Sequence, residues 1–396
     1  MLTLAAARQL LSAEARPLPA ACVPLEHALG CRLAEVPFAD IDLPPADVSV
    51  MDGYAVRTAD VAAGGPLPVV AEVRAEQPPA PLAPGTAARV FTGATIPPGA
   101  DAVIPQEQAT RHPDRTVELA LAEPGAFVRR QGELCRAGAA LADLADEVTP
   151  QLVALLAAAG ASQVRIVPRA RVAVLSTGSE LVPPHERPAP GQIRDSNGPM
   201  LAALARRARF PVTLVSHAPD EPDALRAALE RALSTADLVL TSGGVSVGDY
   251  DLVPQTLERI GAGLLFHRAG IKPGKPILVA RRGPAWILGL PGNPVSALVG
   301  WRLFGRPLGQ ALSGVPDAFD EKPETGTLVR PAANDGTRTI LAPAQLQPGP
   351  ALPTVHLLEW RGSHDVVAVG RASILAQLDV GIRLSPGDRV PFYRLD

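Results

Sequence analysis

Four short segments of this chain concentrate residue types that handle charged groups. Ser176-Thr177-Gly178-Ser179-Glu180 offers small hydroxyls and a glycine, which let backbone N–H groups face an anion, and a carboxylate, Glu180, that can hold a cation or a proton. Residues 191–198 place Asp195, Ser196 and Asn197 where each can cap a following helix or touch a ligand, and the two roles are compatible. Thr241-Ser242-Gly243-Gly244-Val245-Ser246 is a Gly/Ser loop of the kind that cradles phosphate, and Asp249 and Asp251 add a hard-cation site suited to Mg2+ bridging phosphate oxygens. No Gly-Lys-Ser/Thr follows, so the loop is not a Walker A motif. In the fourth segment, Lys272 and Lys275 sit three apart among prolines, a fixed positive pocket for an oxyanion. Pro291-Gly292-Asn293-Pro294 directs a helix start and Ser296 toward the same place. Taken singly, Gly243-Gly244 is a tight turn, Lys-Pro-Gly-Lys-Pro an exposed turn and Asp195-Ser196-Asn197 a helix cap. The set is more specific than its members and describes phosphate and oxyanion handling with a divalent cation.

The elements that must position these loops alternate. Strands are expected at 171–175, 212–216, 237–240, 276–280 and 286–290, and helices at 198–207, 221–233, 252–260 and 295–303. Such alternation predicts a doubly wound, largely parallel sheet, whose ligands bind at the carboxyl ends of the strands, where all four loops fall. Leu4, Ala7, Leu10 and Leu11 recur at helical spacing, so 2–15 reads as an amphipathic helix. Residues 44–123 are short runs between Pro/Gly turns, a small β-rich domain, and 320–396 has the same texture. Residues 151–160 form an apolar helix closed by glycine, with Thr149 as N-cap and Pro150 in the first turn.

Composition narrows the class. With 396 residues the chain exceeds a single core, and a net charge of −3 without a Lys/Arg tract gives no nucleic-acid footprint. The densest basic cluster, Arg206, Arg207 and Arg209, is a solvated helix end. Cys22, Cys31 and Cys135 show no paired spacing, which disfavours a disulfide framework or zinc site and fits a reducing compartment. No apolar stretch is long enough to span a bilayer, and the first residues lack the basic start of a signal peptide, so a cytoplasmic location is expected.

The strings TSGGVSVGDYD (241–251), IKPGKP (271–276), GLPGNPVSAL (289–298), STGSEL (176–181), GQIRDSNG (191–198), MDGYAV (51–56) and FTGA (91–94) resemble, in order, the motifs of the MoeA family of molybdopterin molybdenumtransferases, which includes the gephyrin E domain. The resemblance spans nearly the whole chain, is clearest at 171–308 and weakest after 320. It implies a multidomain α/β and β protein: a central doubly wound molybdopterin-binding α/β domain, a β-rich inserted domain and a C-terminal β domain. The expected limits are 1–20 for a helix packing on the central domain, 21–46 with 131–168 for a linker domain, 47–130 for the β-rich domain, 169–310 for the central domain and 320–396 for the last. It further implies a homodimer that takes adenylylated molybdopterin and molybdate, uses Mg2+ and releases AMP. Implied partners are the molybdopterin adenylyltransferase and molybdoenzyme chaperones, with no nucleic acid and no membrane.

Carried onto these residues, the resemblance assigns Asp52, Glu180, Asp251, Lys272 and Lys275 to catalysis, and Glu180 and Asp251 to Mg2+. It assigns Thr92, Thr177, Gly178, Asp195, Ser242, Gly243, Gly244, Ser246, Pro291, Asn293, Pro294, Ser296, Arg361 and Ser363 to substrate binding. The chemistry is positioning and electrostatic stabilisation of developing charge. Two family acids are replaced: Leu134 follows Gly132-Glu133 where an Asp is common, and Ser179 stands for Asp in STGDEL. These losses favour a competing reading, a non-catalytic paralogue serving as a cofactor-binding chaperone or scaffold, whereas the Asp251, Lys272, Lys275 and PGNP set favours the enzyme. The adenylyltransferase step itself is disfavoured by the flanking β domains.

Overall fold

The computed structural model describes residues 1–245, 252–349 and 351–395. The chain divides into two compact units, Cys22–Ile166 and Met1–Ala21 with Val167–Asp396. Helix α1 (Leu4–Glu14) opens the chain. Thr3 caps it by accepting from the Ala6 N–H, and Ala7 and Leu11, one turn apart, are fully buried in the core of the larger unit.

In the smaller unit, six strands form one sheet: β1 (Gly53–Val56), β2 (Leu67–Val73), β3 (Ala87–Val90), β4 (Ala102–Pro105), β5 (Ala109–Arg111) and β6 (Thr116–Leu119), in the order β4-β1-β3-β2-β6-β5. Successive residues of β1 feed opposite faces: Tyr54 and Val56 join one apolar cluster, Ala55 the other. A second core gathers Leu25, Leu33 and Ile166 under Leu156 of α2 (Pro150–Ala158). As the sequence predicts, Thr149 accepts from Leu152 N–H and Pro150 fills the first turn; Gly160 ends the segment with a φ of 88°.

The larger unit is built on β7 (Val172–Thr177), α3 (Asn197–Arg207), β8 (Val212–Ala218), α4 (Pro222–Thr235), β9 (Leu238–Ser242), α5 (Leu252–Arg259), β10 (Gly263–His267), β11 (Leu278–Arg282), β12 (Ala285–Leu290) and α6 (Pro294–Gly300). The sheet order is β8-β7-β9-β12-β11-β10, parallel through β12 and antiparallel over the last two pairs. Val172, Val174, Leu238 and Leu240 point into the cluster shared with α1 and α3, while Ala173, Leu175 and Val239 point into the one shared with α4 and α5. Strands buried on both faces read as continuous apolar runs, which is why these were legible in the sequence.

Two features depart from the expectation. Strand β10 is an unforeseen antiparallel edge, possible because Lys272–Pro276 turns the chain back without the crossover a parallel neighbour requires. The helical run from Pro294 does not end at 303 but passes through a π-helical turn, Trp301–Gly305, into Arg306–Leu312. Pro307 is accommodated because it falls in the first turn of that last segment. The C-terminal strands β13 (Glu324–Leu328), β14 (Thr339–Gln347), β15 (Thr354–Leu357), β16 (Ile374–Leu378) and β17 (Arg389–Arg394) close into a barrel, β14-β15-β13-β17-β16, with β16 returning to β14. The short strand Ile271–Lys272 adds to β14 in parallel.

Candidate functional site

The carboxyl ends of β7, β9 and β12 open into a cleft of about 820 Å3, whose lining residues all come from the larger unit. Of the residues singled out from sequence, Thr177, Gly178, Glu180, Asp195, Ser242, Gly243, Gly244, Pro291, Asn293 and Pro294 line it. That is the edge at which an open α/β sheet binds ligands.

The loops are locked together by backbone. Gly243 N–H donates to the Leu290 carbonyl at 3.0 Å, and its φ of 101° suits only glycine. A Cβ there would stand 2.4 Å from the Thr177 carbonyl oxygen, so residue 243 must be Gly for the loops after β7 and β9 to touch. On the other side, His217 Nε2–H donates to the Gly178 carbonyl at 2.7 Å. Asp220 N–H donates to Ser179 Oγ at 2.9 Å and Ser179 N–H returns a bond to the Asp220 carboxylate at 3.1 Å. Ser179, read from sequence as a lost acid, thus holds a carboxylate that itself lines the cleft.

Asn197 is the structural keystone of the floor. It is 6% exposed, and its Nδ2 donates to Ser242 Oγ at 2.8 Å and to the Gly292 carbonyl at 2.7 Å, tying the start of α3 to the loops after β9 and β12. Capping of α3 is done instead by Asp195, whose Oδ1 accepts from Gly198 N–H. With both amide hydrogens committed, Asn197 Oδ1 is buried without a donor, and Ser176 Oγ is buried without any partner among the described residues. Both residues line the cleft. Buried polar atoms are normally paired, so two orphans at one floor mark groups prepared for a ligand's donors and acceptors. Asp220 was not foreseen, because it stands in no motif; Ser176 and Asn197 fall in loops the sequence marks, Ser176 among the small hydroxyls set to face an anion and Asn197 open between cap and ligand contact, but neither is assigned a substrate role by the family resemblance.

Glu180 is exposed, and no hydrogen bond engages its carboxylate among the described residues, whereas Asp195 and Asp220 are held by Gly198 and Ser179. No group of three or more His, Cys, Asp or Glu among the described residues is placed to hold a metal ion. Mg2+ bound to phosphate oxygens and waters requires only one or two carboxylates, and an unengaged Glu180 meets that need. Ser246, Asp249 and Asp251 lie outside the described residues.

Lys272 and Lys275 are exposed on their proline-braced loop and are not among the lining residues. Beside Lys272, Arg338 donates from Nη1 to the Ile271 carbonyl at 3.0 Å, a third cation that sequence reasoning passed over because it sits in no glycine loop. Ser296 is 3% exposed, buried within α6 because the helix packs on the core along nearly its whole surface. Ser363 reaches the cleft rim indirectly, accepting from Asn293 Nδ2 at 3.0 Å, while the neighbouring His364 lines the cleft itself. Arg361 is exposed, and its N–H donates to Asp365; the bonds from Arg361, Ala368 and Val367 N–H hold the Asp365 carboxyl below its usual range.

In the smaller unit, Asp52 and Thr92 meet. Asp52 Oδ1 accepts from both Thr92 N–H and Thr92 Oγ1 at 2.8 Å, bonds that lower the carboxyl below its ordinary value and keep it ionised. Leu134 is 66% exposed and packs under nothing. The adjacent Glu133 caps the turn through Arg130 N–H.

Comparison with known proteins agrees with this arrangement. Residues 2–160 match the family described as the MoeA N-terminal region (domain I and II), and residues 173–310 the family described as "Probable molybdopterin binding domain". A molybdopterin molybdenumtransferase of a Nostoc species is 41% identical over 307 residues, covering 75% of this chain and 70% of the relative. Molybdopterin molybdenumtransferase 2 of Mycobacterium tuberculosis is 36% identical over 384 residues, 90% of this chain and 94% of the relative. The solved structure of the molybdopterin biosynthesis MoeA protein from Pyrococcus horikoshii superposes with a TM-score of 0.83 at 29% identity, covering 100% of this chain and 99% of that one. No helix among the described residues is long and apolar enough to cross a membrane. With both family models in register, most of its length shared with curated relatives and its cleft at the expected sheet edge, the chain belongs to the MoeA family of molybdopterin molybdenumtransferases.

Proposed function

We propose that this protein inserts molybdenum from molybdate into adenylylated molybdopterin with Mg2+ and releases AMP. The observation that carries the reading is the cleft at the ends of β7, β9 and β12, bordered by the glycine loops after β7 and β9 and with two buried unpaired polar atoms on its floor. Asn197 Oδ1 and Ser176 Oγ would engage the donors and acceptors of the pterin. Thr177 and Ser242 are 4% and 2% exposed and shape the loops between which the phosphates would lie. Lys272 and Lys275, with Arg338 beside them, would attract molybdate and offset charge as the adenylate leaves. Mg2+ would be held by Glu180, with Asp251, and supply charge neutralisation at the phosphate oxygens.

The same reading includes a homodimer in which the Asp52–Thr92 pair of one subunit completes the cleft of its partner. The ionised, exposed and pre-positioned Asp52 carboxylate supports it. Retention of Lys272, Lys275 and the Pro291–Pro294 turn favours the enzyme over a chaperone-like paralogue. The test is transfer of metal. Purified protein given adenylylated molybdopterin, Mg2+ and molybdate should yield cofactor that activates a molybdenum-free apoenzyme. Tight substrate binding with no activating product would overturn the reading.

A further inference from the structure

A second cleft, of about 840 Å3, lies between the outer face of α1 and the C-terminal barrel. Leu4, Arg8 and Ser12 line one wall at one residue per turn, and Asp320, Gln377 and Asp379 are among those lining the other. Arg8 is 8% exposed. Its Nε and Nη2 both donate to the Phe319 carbonyl, at 3.1 and 2.5 Å, which fixes the guanidinium plane, yet Nη1 is buried without an acceptor. Gln377 is oriented by its Nε2, which donates to Asp379 Oδ1 at 2.9 Å; a carboxylate only accepts, so the amide cannot be reversed. Its Oε1 is buried without a donor.

Six buried side-chain atoms lack a partner among the described residues, and four of them belong to residues lining the two large clefts. Of the residues lining this second cleft, Arg8 keeps one buried donor and Gln377 one buried acceptor unpaired. Its charge is also unbalanced. Glu321 is taken by Arg302 through bonds of 2.8 and 2.5 Å, whereas Asp320 and Asp379 have no ion pair among the described residues. A free anion is therefore disfavoured despite Arg8, and a ligand carrying a carbonyl, an N–H and a positive charge is favoured.

We propose that this cleft binds an extended peptide segment bearing a lysine or arginine. A peptide carbonyl accepts from Arg8 Nη1, a peptide N–H donates to Gln377 Oε1, and the cationic side chain faces Asp320 and Asp379. From residue 4 to residue 12, α1 presents a wall of about 12 Å, the span of about four extended residues. The site involves none of the residues of the molybdopterin cleft, so it stands or falls independently of the proposed reaction.

The experiment uses the full chain labelled with 15N-arginine and the capped tetrapeptide Ac-Ala-Lys-Ala-Ala-NH2, with Ac-Ala-Glu-Ala-Ala-NH2 as its charge-reversed control. The Arg8 Nε–H signal, protected by its bond to Phe319, should shift saturably with the lysine peptide and bind the glutamate peptide at least fivefold more weakly. Arg8→Ala removes the Phe319 anchor and can unfold the region, so the decisive variant is Gln377→Leu, which retains bulk and deletes the acceptor. It should keep the melting temperature and lose about tenfold in affinity, the effect of one hydrogen bond. No saturable shift, equal affinity for the two peptides, or undiminished binding by Gln377→Leu would each overturn the proposal, the unpaired atoms then being satisfied by water alone.

Discussion

Replacing Asn197 by alanine tests whether the cleft floor is held as described. The amide makes two hydrogen bonds, to Ser242 Oγ and the Gly292 carbonyl, and is 6% exposed. Each bond contributes about 1 kcal/mol, and leaving the buried Ser242 hydroxyl with only its 3.5 Å contact to the Pro291 carbonyl adds a penalty of similar size. The small cavity adds to the loss, for a total of about 3 kcal/mol. In a domain of this size about 1 kcal/mol moves the melting temperature by roughly 2–4 °C, so the variant should melt about 6–12 °C lower. Asn197→Asp, nearly the same shape, should fare no better, because it points a carboxylate oxygen at the Gly292 carbonyl where a donor stood. Calorimetric melting of the three proteins, with titration of adenylylated molybdopterin into each at a temperature where all are folded, separates floor from ligand contact. An alanine variant that melts within about 1 °C of the parent and binds substrate normally would refute the assignment of Asn197.

Lys275→Ala should weaken molybdate or AMP binding about ten- to a hundredfold, from about 1.5–3 kcal/mol for a charge-assisted contact, and leave the melting temperature unchanged because the lysine is exposed; unchanged affinity removes it from the site. Leu134→Asp should raise turnover with little change in KM and no loss of stability, since residue 134 is already 66% exposed and its carboxylate would stay in water; an unchanged rate dissociates this position from the chemistry. Burial alone would raise the Glu321 carboxyl, but the bonds and charge of Arg302, 3% exposed in its side chain, outweigh it, so the folded value lies below the ordinary 4.5. A depressed carboxyl stabilises the fold at neutral pH and loses that effect as pH falls below the ordinary value. Glu321→Gln should therefore cost about 2 kcal/mol at pH 7, discounted for the partial exposure of Glu321, and converge with the parent on acidification; parallel pH curves would contradict this. Light scattering at micromolar concentration should give twice the chain mass, and a monomer would count against the shared-cleft arrangement.

The parts of the fold that were readable are those in which local sequence and tertiary role agree. Strands Val172–Thr177 and Leu238–Ser242 open with unbroken apolar runs, up to Leu175 and Leu240, because both faces are covered, and Thr149-Pro150 announces its helix by capping chemistry alone. Strand Gly263–His267 was missed because its edge position leaves Leu264 exposed and its partner is reached by a turn rather than a helix. The π-helical passage at Trp301–Gly305 has no periodicity of its own. In the site, glycine loops are visible as motifs since backbone approach demands glycine, as at Gly243 against Thr177. Asp220 and Arg338 escape, and the bridging role of Asn197 with them, because each acts between segments far apart in sequence, through Ser179, Ile271 and Gly292. Such pairings exist only once the sheet has brought the loops together. Ser296 shows the converse: the motif is intact, but packing leaves the residue only 3% exposed.

The central claim is that the cleft at the ends of β7, β9 and β12 couples molybdenum insertion to loss of the adenylate, and the most direct measurement is AMP release from adenylylated molybdopterin by the purified protein. Release should require both molybdate and Mg2+, approach one AMP per molybdenum inserted, and fall with Asn197→Ala and Lys275→Ala. Substrate that binds but stays adenylylated with molybdate and Mg2+ present, or AMP release indifferent to molybdate, would contradict it.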